Sequence, residues 1–175
     1  MRKKLVLVAV AMGILLASPI WAADLVVTMN HVTEQGVGQS IGTITISEGP
    51  AGLMFFPQLT DLSPGEHGFH VHQNPDCGPG NKAGKMVPAL AAGGHYDPAA
   101  TGKHEGPEGM GHLGDLPRLR VEADGKAVTP VTASRLTMAD LQGRALMIHA
   151  GADNYSDQPA PLGGGGARVA CGVIK

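Results

Sequence analysis

The chain has 175 residues, 43% of them hydrophobic, with a formal charge of −2, 26 glycines, eight histidines and two cysteines. That hydrophobic share supplies a core for one domain of ordinary size and excludes a disordered acidic or basic chain. The slight negative charge argues against a phosphate-backbone binder, and six aromatics are too few for a base-stacking surface, so no nucleic-acid partner is expected.

Arg2, Lys3 and Lys4 open the chain, an apolar run fills residues 5–17, and Ser18-Pro19-Ile20-Trp21-Ala22-Ala23 follows. A basic start, a 13-residue apolar stretch and small residues at its exit describe a secretory signal peptide over residues 1–22, leaving a single domain at 23–175. The run is too short to span a bilayer as a helix, so no membrane association is expected after cleavage. Cleavage would remove three cations and no acidic residue, taking the formal charge from −2 to −5. Export also changes how Cys77 and Cys171 read. Two cysteines in an oxidising compartment point to one long-range disulfide, with two buried free thiols as the alternative.

Short strands bounded by glycine and proline are predicted at 25–29, 41–47, 53–59, 66–73, 118–123, 127–133, 145–150 and 167–174. Asp124-Gly125 marks a hairpin turn between two of them. Thr137, ahead of Met138 and Leu141, suits the cap of a helix of one or two turns. Eight short strands without a sustained helical period imply an all-β fold, an antiparallel sandwich or barrel. Residues 74–117 stand apart, with ten glycines and six prolines. A stretch this long without its own structure is functional or a linker. This one carries Cys77, His95, His104, His112 and Asp115, which a linker has no need of.

His70 and His72 lie on one face of a predicted strand, because strand side chains alternate, while Phe69 and Val71 point the other way. Their roots stand about 7 Å apart, a gap that two imidazoles can close on one ion. His149 shares a face with Ala145 and Met147, opposite Leu146 and Ile148. An isolated His-x-His is more often a solvent-facing pair, but here four more ligand types sit in the glycine-rich segment. His67 falls on the core side and reads as a hydrogen-bonded strut. His31 has no partner in sequence and reads as a surface residue.

The chain closely resembles the bacterial, exported branch of the copper,zinc superoxide dismutases. The resemblance rests on Gly-Phe-His-Val-His at 68–72, Gly-Gly-His-Tyr-Asp-Pro at 93–98, Gly-Lys-His-Glu-Gly-Pro at 102–107 and Gly-His-Leu-Gly-Asp-Leu at 111–116. Met-Ile-His-Ala-Gly-Ala-Asp at 147–153 and Gly-Gly-Ala-Arg-Val-Ala-Cys-Gly at 165–172 complete it. It implies an eight-stranded Greek-key barrel with long metal-binding and active-site loops. It implies copper on His70, His72, His95 and His149, and zinc on His95, His104, His112 and Asp115, so that His95 bridges the metals. Asp153 matches a carboxylate joining ligands of the two ions, Cys77 and Cys171 a disulfide within the subunit, and Arg168 the arginine that receives the anionic substrate. The implied reaction converts superoxide to O2 and hydrogen peroxide by alternating reduction and reoxidation of copper, with zinc structural and His95 carrying a proton. The implied location is the periplasm, and a homodimer is a candidate assembly beside a monomer. Because superoxide and the mature chain are both anionic, steering must come from local positive potential; Lys82, Lys85 and Lys103 are candidates. The rival reading is a non-catalytic periplasmic copper- and zinc-buffering protein, which needs the ligands but neither Arg168 nor Asp153.

Overall fold

The computed structural model describes residues 24–175; the predicted signal segment lies outside them. Three long strands, β1 (Leu25–Thr33), β2 (Gly36–Gly49) and β3 (Gly52–Leu59), form an antiparallel meander. Each buries every second residue, Val27 and Met29, Ile44 and Ile46, then Leu53, Phe55 and Leu59, as a half-buried sheet requires. The chain then crosses over through β4 (Gly65–His67) and β5 (Phe69–His72). A hairpin follows, β6 (Gly80–Lys82) and β7 (Lys85–Val87), then β8 (Leu119–Val121), β9 (Val131–Ala133), the turn of helix α1 (Met138–Leu141), β10 (Ala145–His149) and β11 (Arg168–Val173). The main sheet runs β5-β10-β11-β1-β2-β3-β9, with β4 paired to β8 and β6 to β7. β3 and β5, joined in sequence through β4, therefore lie far apart in that order, and the curled sheet is a Greek-key β-barrel with almost no helix.

Each of the eight predicted strands has a counterpart, with two revisions and one addition. The predicted 66–73 strand breaks at Gly68, so that β4 pairs with β8 while β5 pairs with β10. The predicted 127–133 strand keeps only Val131–Ala133, with Ala127 forming a lone bridge to Leu59, so Asp124-Gly125 makes its turn between strands that then part. The β6–β7 hairpin lies inside the stretch expected to lack structure. Its tip places Ala83 and Gly84 at φ 52° and 82°. Such a turn usually declares itself through Asn, Asp or Gly at both centres, and an alanine at the first hides it. The predicted cap at Thr137 is present, with the Asp140 carboxylate accepting from its backbone N–H at 2.9 Å and its hydroxyl at 2.6 Å.

The barrel interior is filled mainly by Ile, Leu and Val around an edge-to-face Phe55–Phe69 pair at 5.6 Å. A smaller apolar cluster on the opposite face of β10 and β11 joins Ala145 and Met147 to Ala89, Ala92 and the Cys77–Cys171 disulfide. That cluster seats the loop that borders the site.

Candidate metal centre

Strand β5 is the end strand of its sheet, and the glycine-rich segment occupies its free edge. Tyr96 N–H donates to Val71 O and Val71 N–H to Gly114 O, both at 2.8 Å, and Leu116 N–H reaches Phe69 O at 3.2 Å. Backbone pairing thus sets His95 opposite His72 and Asp115 opposite His70. Gly114 permits this approach, since a Cβ there would lie 2.3 Å from Val71 O. On the other edge, β10 pairs Ile148 with Phe69 and Met147 with His70, which carries His149 to the same face.

Two ligand groups result, His70 with His72, His95 and His149, and His70 with His95, His104 and Asp115; within each, the donor atoms lie within 4.8 Å of one another. The hydrogen bonding of the site is more telling. Among the described residues, seven buried polar atoms make no well-formed hydrogen bond: His70 Nδ1, His72 Nε2, His95 Nε2, His149 Nε2, His104 Nδ1, His112 Nδ1 and Asp115 Oδ2, the last lying beside His104 Nδ1 without a bonding geometry. Buried polar groups without partners are costly, so these atoms require a ligand. Five of the six histidines commit their other ring nitrogen. His72 Nδ1–H donates to Gly93 O (2.9 Å) and His149 Nδ1–H to Gly166 O (3.1 Å). His70 and His104 donate Nε2–H to the two oxygens of Asp153, each at 2.8 Å. These bonds select the tautomer that leaves the inner nitrogen bare. Asp115 presents one oxygen 2.8 Å from His95 Nδ1 and the other 2.9 Å from His104 Nδ1, with His112 Nδ1 3.4 Å away. Neutral imidazoles on one side, and imidazoles with a carboxylate on the other, suit copper and zinc.

Electrostatics agree with the bare nitrogens. Burial, followed by the charge of neighbouring His95, holds His70 and His72 well below the ordinary histidine value, and burial takes His149 to about 4. His104 is the exception. Burial opposes its charge, but bonds to Asp115 and Asp153 outweigh that and raise it to about 9. Burial also disfavours the charged Asp115 and Asp153, yet their histidine partners keep both below the usual carboxylate range. Arg168 is half-buried beside the first group, where its guanidinium donates to Ala89 O and, at 2.7 Å, to Gly93 O. The Cys77–Cys171 disulfide, with Cα atoms 5.8 Å apart, closes the segment that supplies those carbonyls.

The comparisons with known proteins agree with this geometry. The family model "Copper/zinc superoxide dismutase (SODC)" matches residues 40–174. The chain belongs to the copper/zinc superoxide dismutase family. It is 64% identical over 155 residues to copper-zinc superoxide dismutase 2 of Salmonella typhimurium, covering 88% of this chain and 90% of the relative. The copper/zinc superoxide dismutase structure from Brucella abortus superposes with a TM-score of 0.86 at 57% identity, over 87% of this chain and all of that one. The solution structure of the monomeric copper, zinc superoxide dismutase from Salmonella enterica superposes with a TM-score of 0.79 at 63% identity and the same coverage. The enzyme dismutates superoxide to O2 and hydrogen peroxide, and copper and zinc are its cofactors.

The fold groups the four expected copper ligands, but its second group joins His95, His104 and Asp115 to His70 and leaves out His112, whose Nδ1 lies 3.4 Å from Asp115 Oδ1. His67 is the expected strut, lying 2.7 Å from His149 O and 2.8 Å from Ser63 O. His31 does find a partner, Asp61 Oδ2 at 3.0 Å, although their 30-residue separation gave no hint of it. Lys82, Lys85 and Lys103 are exposed and outside the ligand groups. The carbonyls of Gly93 and Gly166, which orient two ligands, carry no side-chain signal and were invisible to motif reading.

Proposed function

We propose that His70, His72, His95 and His149 hold copper, and that His95, His104, His112 and Asp115 hold zinc, one ion of each per chain. The seven unpartnered buried atoms carry this assignment. His70 also lies near the second group, but its Nε2–H is committed to Asp153 and its Nδ1 belongs to the first, leaving His112 as the fourth zinc ligand. His95 serves both ions, with Nε2 facing the copper group and Nδ1 facing Asp115. Asp153 braces one ligand from each side through its two oxygens.

Bound copper supplies a one-electron couple that oxidises one superoxide and reduces the next. The residues supply the rest. Arg168, fully charged at neutral pH and held by two carbonyls, binds the anion with its remaining donors. When it is not engaged with copper, His95 Nε2 would hold one of the two protons that the peroxide product takes up, the other coming from solvent. Lys82 and Lys85 face one another on β6 and β7, an unfavourable pairing of like charges in the loop that supports Arg168. With exposed Lys103 they offset the negative charge of the chain. Residues 1–22 direct export to the periplasm, where the Cys77–Cys171 disulfide is stable. The domain at 23–175 works as a monomer, a reading supported by its likeness to the monomeric Salmonella enterica enzyme.

Metal analysis with a superoxide-decay assay tests the assignment. His95→Ala is expected to abolish catalysis and to lose zinc as well as copper, because one ring serves both ions. Unchanged zinc content in that variant would overturn the bridging role. A buffering protein would give ordinary spontaneous decay even when fully loaded.

A further inference from the structure

The loop over residues 150–167 packs on His104 and the residues beside it through several contacts. Asp153 takes the His104 ring bond already described. Tyr155 packs so closely on Gly106 that a Cβ there would lie 2.6 Å from the tyrosine Cβ. Asp157 makes another contact, and nothing in the motifs assigns it a role. One of its carboxylate oxygens accepts the backbone N–H of His104 at 2.9 Å, and the other accepts the backbone N–H of Leu162 at 3.0 Å. His104 and Asp157 are 53 positions apart, whereas Leu162 lies within the same loop. No backbone carbonyl among the described residues takes the His104 N–H, so Asp157 is its acceptor.

We propose that Asp157 is a positioning residue for the zinc site, clasping the loop over Asp153 to the backbone of His104 and so setting how tightly zinc is retained. The proposal rests on the assignment of His104 to zinc. A carboxylate suits the task because it has no donor: each oxygen faces one N–H, and both bonds are strengthened by its charge. An asparagine of the same shape would satisfy one N–H and turn its own amide donors on the other. The consequence falls on His104, whose ring must keep Nε2–H on Asp153 while Nδ1 points inward. A backbone free to shift there moves the ligand without removing it. The return of the loop depends on the same clasp. Beyond Leu162, Gly163 passes so close to Asp153 that a Cβ would lie 1.9 Å from its Oδ1.

The test compares Asp157→Asn and Asp157→Ala with Asn154→Ala in the copper- and zinc-loaded enzyme. Asn154 donates to Gln158 O at 2.8 Å and accepts from Ser156 N–H at 2.9 Å, both within the loop, and makes no hydrogen bond to His104, so it controls for general loosening. Zinc release to a chromophoric chelator is expected to be about 10–100-fold faster in Asp157→Asn, the usual cost of losing an outer partner of a metal ligand. Copper retention should be nearly unchanged, and Asn154→Ala should release zinc at the unmodified rate. Cobalt(II) placed in the zinc site should show altered visible bands in Asp157→Asn only. The proposal is overturned if folded Asp157→Asn releases zinc at the unmodified rate with an unchanged cobalt spectrum. It is equally overturned if Asn154→Ala accelerates release as much. Full zinc retention in His104→Ala would instead overturn the underlying ligand assignment. Asp157→Asn keeps side-chain volume, so the test stands even where Asp157→Ala fails to fold.

Discussion

Arg168 shows how much of this site depends on single hydrogen bonds. Two loop carbonyls, Ala89 O and Gly93 O, hold its guanidinium, and Gly93 O also accepts from the ligand His72. The proposed anion-binding group and a proposed copper ligand are thus registered on one peptide. Arg168→Lys keeps the charge and loses the planar fork, so kcat/KM for superoxide should fall about 10–100-fold, as expected for losing one or two charge-assisted bonds. Copper and zinc content should stay unchanged in the same preparation, which separates this loss from a metal-binding defect. The candidate ligand side chains were legible because the His-x-His pair is joined by three more histidines and an aspartate in the glycine-rich segment, a company that solvent-facing histidines do not need. Their tautomers were not, since each depends on an acceptor distant in sequence: Gly93 for His72, Gly166 for His149 and Asp153 for both His70 and His104.

At the scale of elements, the free edge of β5 is the organising feature. An unpaired strand edge invites another strand, and here residues 94–96, from the middle of the glycine-rich segment, and 114–116, near its end, fill it, bringing His95 and Asp115 to the histidines of β5. The part of the segment that precedes His95 is fastened by the disulfide to β11, and through the small apolar cluster to β10. Replacing both cysteines by serine should lower stability by roughly 4–5 kcal/mol in the chain-entropy model, given the 94-residue separation. It should also lower kcat/KM, because the carbonyls beneath Arg168 would no longer be anchored. Chemical denaturation and superoxide kinetics on the metal-loaded variant check the two effects separately. A catalytic constant identical to that of the oxidised enzyme would show that the β6–β7 loop needs no covalent anchor. The hairpin itself escaped prediction because three-residue exposed strands bury no alternating apolar face for a pattern to reveal.

For the whole molecule, burying six histidines between the outer face of the barrel and its loops makes stability depend on pH. In the metal-free protein His149 titrates near 4, against about 6.5 when unfolded. Between those values the unfolded chain binds a proton there and the folded chain does not, so stability falls as pH drops through that window. His149 alone contributes about 3 kcal/mol of this loss. His70, His72 and His95, also shifted downward, act in the same direction. His104, raised to about 9, acts oppositely: its contribution is complete below about pH 6.5 and is lost as pH rises toward 9. Urea midpoints of the metal-free protein should therefore fall steeply from pH 6.5 to 4, and His149→Gln should flatten that slope. Zinc and copper require the unprotonated ligands, so acid should also release both metals.

Residue order and composition alone determined the all-β class and the eight main strands, and they marked the candidate ligand residues and the two cysteines as a candidate disulfide pair. These are local properties: alternation sets which side chains share a face, and glycine or proline marks where a strand must stop. Only the tertiary structure decided which nitrogen of each ligand is bare, that β5 ends its sheet and accepts the glycine-rich segment, and that Asp157 meets His104 across 53 positions. Such features are made by backbone atoms and by residues remote in sequence. Every residue carries the same carbonyl and amide, so the sequence holds no mark of which ones the fold will bring into contact.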